Sequence, residues 1–257
     1  MALLSVDFFS DVLEVGASMN VVWPQTTEHQ VGVSGGRETS AGPPVLYLLH
    51  GRTDDHSAWA RNTSVERYAV AAGVAVVMPA VQRSFYTDEV HGDRYWTFLS
   101  EELPAIVGSM LRVSQRREDT FVAGLSMGGY GAVKWALRDP HRFAAAATMS
   151  GALDIPALLR DPARSGELVD RVFGPELDPD EDLFALLESA DAALLPRLHV
   201  SCGTADPLLD HSRRFAAEAE AKGADVTVDL RPGEHEWGFW DAEIQTILEW
   251  LPLAPEA

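Results

Sequence analysis

The stretch Thr120-Phe121-Val122-Ala123-Gly124-Leu125-Ser126-Met127-Gly128-Gly129-Tyr130-Gly131-Ala132 decides how this chain is read. A short apolar run, Phe121 to Ala123, enters Gly124-Leu125-Ser126-Met127-Gly128, and a helical pattern follows at once with Val133, Trp135, Ala136 and Leu137. Strand, tight turn and helix in that order are the setting in which Gly-x-Ser-x-Gly forms a nucleophile elbow. A serine at the tip of such a turn holds a strained backbone conformation. Side chains two residues to either side would strike the neighbouring strand and helix, so glycine is required there. The hydroxyl then stands clear of the sheet, and the helix that begins beside it presents backbone N–H groups to a developing oxyanion. The plainer reading is a glycine-rich turn that only caps a helix. Five glycine or small residues around one serine, in that context, argue against it.

Outward from the elbow, apolar runs and helical patterns alternate. Residues 3–9 and 12–22 read as two antiparallel strands, and the polar stretch 25–44, rich in Gly, Thr, Ser and Pro, as a long hairpin loop. Val45 to Leu49 and Val74 to Met78 are near-continuous apolar runs, the pattern of strands covered on both faces. Val65 to Ala72 suits a short helix, and Tyr95 to Leu111 a longer one kinked near Pro104. Beyond the elbow helix, strands are expected at Phe143–Met149, Leu198–Cys202 and Val226–Leu230, and helices at 208–222 and Phe239–Leu251. This rhythm predicts one α/β domain over 1–257: a doubly wound, mostly parallel sheet with an antiparallel N-terminal hairpin. Residues 152–193 break the rhythm with short helical pieces and read as a helical insertion, either a partial lid or a solvated decoration. It carries a large share of the acidic excess and predicts poor acceptance of anionic substrates.

A chain of 257 residues with 46% hydrophobic and 23% charged residues is ordinary for a globular protein, but a net charge of −19 is not. It argues against nucleic acid and anionic membrane surfaces as partners, because both repel it at long range. Cys202 is the only cysteine, which excludes an intramolecular disulfide and reads as buried filler. No basic segment precedes an apolar run at the N-terminus and no stretch is long and apolar enough to span a bilayer, so the expected setting is cytoplasmic.

A serine hydroxyl needs a base, and the base an orienting acid. In proteins with this elbow the acid and then the base follow the serine along the chain. The strand ending at Cys202 runs into Gly203-Thr204-Ala205-Asp206-Pro207, and the strand ending at Leu230 into Arg231-Pro232-Gly233-Glu234-His235-Glu236-Trp237. Asp206 and His235 therefore reach the same sheet edge as Ser126. Asp210 and His211 lie on the following helix, and His50, His56 and His91 precede the serine against that order. The oxyanion hole needs two backbone donors, expected from Met127, which follows the nucleophile, and from Arg52 in the loop His50-Gly51-Arg52-Thr53-Asp54-Asp55-His56. Asp54, Asp55 and His56 are adjacent and lack distant partners, so capping of the next helix is expected and no metal.

These residues resemble the esterase D branch of the α/β-hydrolases, and most closely the small tributyrin-esterase-like carboxylesterases. The resemblance runs through Phe8-Phe9-Ser10 with Ser18-Met19-Asn20, Leu48-Leu49-His50-Gly51 with Trp59, and Ser84-Phe85-Tyr86-Thr87-Asp88. It continues through Tyr95-Trp96-Thr97 leading to Glu101-Glu102-Leu103-Pro104, the elbow, and Gly233 to Trp237. It implies the α/β-hydrolase fold and hydrolysis of short-chain acyl esters by Ser126, His235 and Asp206, without a cofactor. It also places the second oxyanion donor at Arg52, where the pattern otherwise expects a small or apolar residue. Tyr86 and Trp237 are candidate pocket walls. A small-molecule ester is the expected partner, and the oligomeric state is open. S-formylglutathione hydrolases, acyltransferases of the mycolyl type, and a non-catalytic binding protein on the same fold are the alternatives.

Overall fold

The computed structural model describes residues 2–25, 29, 42–161 and 165–254. Eight strands form one sheet: β1 (Ala2–Ser10), β2 (Val15–Trp23), β3 (Val45–Leu49), β4 (Ala75–Pro79), β5 (Thr120–Leu125), β6 (Ala145–Met149), β7 (Arg197–Gly203) and β8 (Val226–Arg231). Their order is β1-β2-β4-β3-β5-β6-β7-β8. The β1–β2 and β2–β4 pairs are antiparallel and all others parallel. This is the α/β-hydrolase fold, as predicted. All five residues of β3 are buried, because helices cover both faces of the sheet. Val45, Tyr47 and Leu49 pack on one side with Tyr130 and Val133 of the helix Met127–Arg138. Leu46 and Leu48 pack on the other with Val65 and Ala69 and with Ile244 and Ile247 of the C-terminal helix Trp237–Trp250. Among the described residues no helix is long and apolar enough to cross a membrane.

The structure revises two expectations. The stretch 25–44 is not a hairpin loop, because β4 lies between β2 and β3 and pairs with both. Residues 26–28 and 30–41 of that stretch lie outside the described residues. Nor is the helix from Tyr95 simply kinked at Pro104. It runs as α-helix over Tyr95–Thr97, widens to a π-helical stretch over Phe98–Glu102, and resumes as α-helix over Leu103–Met110. Pro104 offers no N–H, and in a regular α-helix its ring would press on the carbonyl of Ser100. The wider turn falls on that residue. Glu102 leaves this turn to accept hydrogen bonds from Ser10 Oγ and, at 2.7 Å, from the Asp11 N–H, fastening the β1–β2 turn.

Residues 152–193 connect β6 to β7 and include the helices Ile155–Arg160 and Leu183–Ser189. A buried polar cluster ties this segment to the helix that follows Ser126. The Lys134 ammonium is fully buried and lies 2.7 Å from Glu181 Oε2, which also accepts from Tyr130 Oη at 2.6 Å and Thr87 Oγ1 at 2.8 Å. Lys134→Met would leave that carboxylate buried without its closest cation, with only the partly exposed Arg138 3.7 Å from its other oxygen. Breaking such a pair from one side is expected to destabilise the fold by about 3 kcal/mol. The Lys134→Met/Glu181→Gln double variant should recover much of it. Urea unfolding midpoints measure both, and a single variant within about 0.5 kcal/mol of wild type would contradict the assignment.

Candidate active site

Ser126 sits between β5 and its helix with φ 53° and ψ −116°, a left-handed conformation held from both sides. Its N–H donates to Met149 O at 2.9 Å, and its carbonyl accepts from the Tyr130 N–H at 3.1 Å and the Ala152 N–H at 3.0 Å. The elbow glycines have the reason the sequence suggests. A Cβ on Gly124 would lie 2.3 Å from Gly128 O, and one on Gly128 would lie 2.4 Å from Leu49 O. Strand, helix and the end of β3 therefore meet at a spacing that only glycine allows.

Asp206 and His235 are brought to the same edge. Their loops are joined by main-chain hydrogen bonds, from Thr204 N–H to Arg231 O at 2.9 Å and from Ala205 N–H to Gly233 O at 3.0 Å. Asp206 Oδ2 lies 2.8 Å from His235 Nδ1, and His235 Nε2 lies 3.1 Å from Ser126 Oγ. A carboxylate accepts only, so Nδ1 carries the proton and Nε2 presents its lone pair to the serine hydroxyl. Burial pushes Asp206 up, but hydrogen bonds from His235, the Leu208 N–H and Ser150 together outweigh it and hold the carboxyl below its ordinary value. Asp206 thus stays ionised across the range in which an imidazole works as a base.

Two residues around this series have no signal in the sequence. The Trp240 ring meets the His235 imidazole edge-on, 4.9 Å between centroids and at 90°. Its indole N–H donates to Ser150 Oγ at 3.1 Å. Ser150, with φ 50°, ends the neighbouring β6 strand and supports Asp206. Cys202 is buried beside them, and burial pushes its thiol up to about 11, consistent with inert packing.

The loop after β3 passes close to Ser126. A Cβ on Gly51 would lie 2.6 Å from Leu125 Cδ1 and 3.8 Å from Ser126 Cβ. His50 anchors this loop from below. Its Nδ1 lies 2.7 Å from Gly51 O and its Nε2 accepts from the Val81 N–H at 3.1 Å. Burial pushes its pKa down to about 4, so it is neutral and structural. Asp55 Oδ1 accepts from the Ser57 N–H at 2.8 Å and from Ser57 Oγ at 2.6 Å, a local turn ahead of the helix Ala58–Asn62. The N-cap of that helix is Ser57, which makes no side-chain capping bond, so the expected capping by Asp54, Asp55 or His56 is not formed. Among the described residues no three His, Cys, Asp or Glu side chains converge to hold a metal.

Ser126, Met127 and Arg52 line a cleft of about 690 Å³, together with Thr53, Asp54, Glu236 and His235. Its apolar walls include Phe85, Leu158, Leu168, Leu208 and Trp237. Trp237 lies where the sequence puts it; Tyr86 does not. Tyr86 is fully buried beneath the loop that follows β3, donating its hydroxyl to His50 O at 2.9 Å. Phe85, not Tyr86, lines the cleft; both residues adopt positive φ, 52° and 55°. The insertion contributes Ala152, Leu158 and Leu168 to the cleft and, among the described residues, none of its acids. The expected acidic flank is absent there.

A hydrogen-bonded serine, histidine and aspartate at the carboxyl edge of this sheet, beside an apolar cleft, define the class: an α/β-hydrolase with the apparatus of a serine hydrolase. The chain belongs to the Esterase family, whose description, "Putative esterase", matches residues 31–251. It is 29% identical to the acetyl esterase of Caldicellulosiruptor saccharolyticus over 98% of both chains. It is 28% identical to the Staphylococcus aureus fluorophosphonate-binding serine hydrolase FphF, with TM-score 0.86, covering 98% of this chain and 99% of that one. The S. aureus S-formylglutathione hydrolase FrmB superposes with TM-score 0.80 at 27% identity, covering 97% of this chain and 98% of that one. The chain is a serine hydrolase acting on carboxylic esters.

Proposed function

We propose that this protein is a short-chain carboxylesterase of the esterase D branch, near the tributyrin-esterase-like enzymes, that works through an acyl-enzyme on Ser126. The observation that carries this reading is the Ser126–His235–Asp206 series, 3.1 Å and 2.8 Å, opening into an apolar cleft. His235 Nε2 takes the Ser126 proton as Oγ attacks the ester carbonyl. Asp206 holds the imidazole and stabilises its charged form. The N–H groups of Met127 and Arg52 receive the oxyanion. His235 then protonates the departing alkoxide, and a water activated by the same nitrogen releases the acid. No cofactor enters these steps.

The FrmB likeness favours a second reading, hydrolysis of S-formylglutathione, by the same chemistry on a thioester. A panel of p-nitrophenyl esters of rising acyl length, run beside S-formylglutathione, separates the two. The expected result is kcat/KM greatest at about two to four acyl carbons, falling about tenfold or more by eight as the chain outgrows the Phe85–Leu158–Leu168 wall. S-formylglutathione turning over faster than every ester would favour the second reading.

A further inference from the structure

Arg52 departs from the small or apolar residue expected after the His-Gly pair, and its side chain has no evident task in ester hydrolysis. Arg52 is partly buried and lines the cleft with Ser126. The arginines that fasten the surrounding walls are engaged: Arg83 with Glu167, Arg171 with Glu89, Arg138 with Asp180 and Arg214 with Asp154. Among the described residues, no carboxylate forms an ion pair with Arg52, in a chain of 39 acidic and 20 basic residues. The other charges in the cleft do not replace such a partner. Asp54 is turned to its own loop and takes a hydrogen bond from the Gly51 backbone. Glu236 is exposed beside Trp237.

A guanidinium that lines an apolar cleft and has no counter-ion among the described residues is open to an anionic ligand. Its planar fork matches a carboxylate through two parallel N–H···O bonds. The position matters as much as the charge, because Arg52 extends from the loop that passes beside the nucleophile. We propose that Arg52 binds a carboxylate carried by the substrate, so that the esters this enzyme prefers are short-chain esters with a free acid group. This deepens the ester-hydrolase reading and rests on it. The net charge of −19 opposes such a substrate at a distance. At physiological salt that repulsion is screened within about 8 Å, whereas a contact inside the cleft is screened far less.

The test compares two matched pairs of esters. In one the acid is on the alcohol part: 4-carboxyphenyl acetate against its methyl ester. In the other it is on the acyl part: phenyl hydrogen adipate against phenyl pentanoate. Intrinsic reactivities differ within a pair but cancel between variants. Arg52→Gln is expected to lower the anionic-to-neutral ratio of kcat/KM by about tenfold or more in one pair, mainly through KM, and Arg52→Lys to restore part of it. The pair that responds shows which end of the ester carries the acid. A ratio unchanged within about twofold in both pairs overturns the proposal. Calorimetric binding of the unreactive amide 4-acetamidobenzoate separates failure of this assignment from failure of the ester-hydrolase reading. Weaker binding on Arg52→Gln supports the Arg52 contact even if no ester is turned over. Equal binding to wild type and variant, with unchanged ratios, removes it while leaving ester hydrolysis intact.

Discussion

Replacing Ser126 by alanine is expected to lower kcat for p-nitrophenyl acetate by about 10⁴- to 10⁶-fold, the range for loss of a nucleophile whose partners act as a unit. The backbone that holds residue 126 is fixed by its neighbours, through Met149 O, the Tyr130 N–H and the Ala152 N–H, none of which touches the hydroxyl. The variant should therefore fold, melt near wild type, and keep the Met127 and Arg52 N–H groups in place. Residual activity would come from the proposed oxyanion donors and from binding alone. Stopped-flow assays on protein free of contaminating esterase measure it. A loss of less than about tenfold would remove Ser126 from the nucleophile's role.

The second large effect is at Asp206. Asp206→Asn is expected to lower kcat about 10⁴-fold with KM changed far less. Asparagine keeps an oxygen for the Leu208 N–H, bound by Asp206 at 2.8 Å, so the loop is retained. What changes is the partner of His235 Nδ1. An amide that donates there turns the imidazole to the tautomer with its proton on Nε2, which has no lone pair for Ser126. The remaining imidazolium, when it forms, lacks the buried negative charge 2.8 Å away. Steady-state kinetics over pH 6–9 measure the loss. Near-normal turnover for this variant would mean that another group orients the base.

Much of this site was legible because it depends on strand ends. The ends of β5, β7 and β8 are punctuated by glycine, and their order along the chain is the order in which Ser126, Asp206 and His235 arise. Periodicity and punctuation carry that information directly. Strand adjacency is different. Nothing local in residues 25–44 says that β4, encoded later, will pair with both β2 and β3, and a loop between two strands that follow one another in sequence has the local pattern of a hairpin. The placement of Tyr86 is hidden for a related reason. Phe85 and Tyr86 are consecutive left-handed residues, neither is glycine, and nothing local in the sequence says which of the two rings faces the cleft. Charge counts share this blindness to direction. The insertion is acidic, yet Glu181 is spent on buried Lys134 and Glu167 on Arg83, and only apolar residues of the segment reach the cleft among those described. Ser150 and Trp240 bear on His235 and Asp206 from other elements, through contacts that exist only after the sheet has formed.

The account rests on one activated hydroxyl. Its most direct test is covalent labelling of the folded protein with a fluorophosphonate, followed by proteolysis and mass spectrometry to locate the adduct. The account predicts a single adduct on Ser126, formed in wild type and abolished when His235 is replaced by alanine. An adduct on any other residue, or an esterase-active protein that takes up no label, would contradict it.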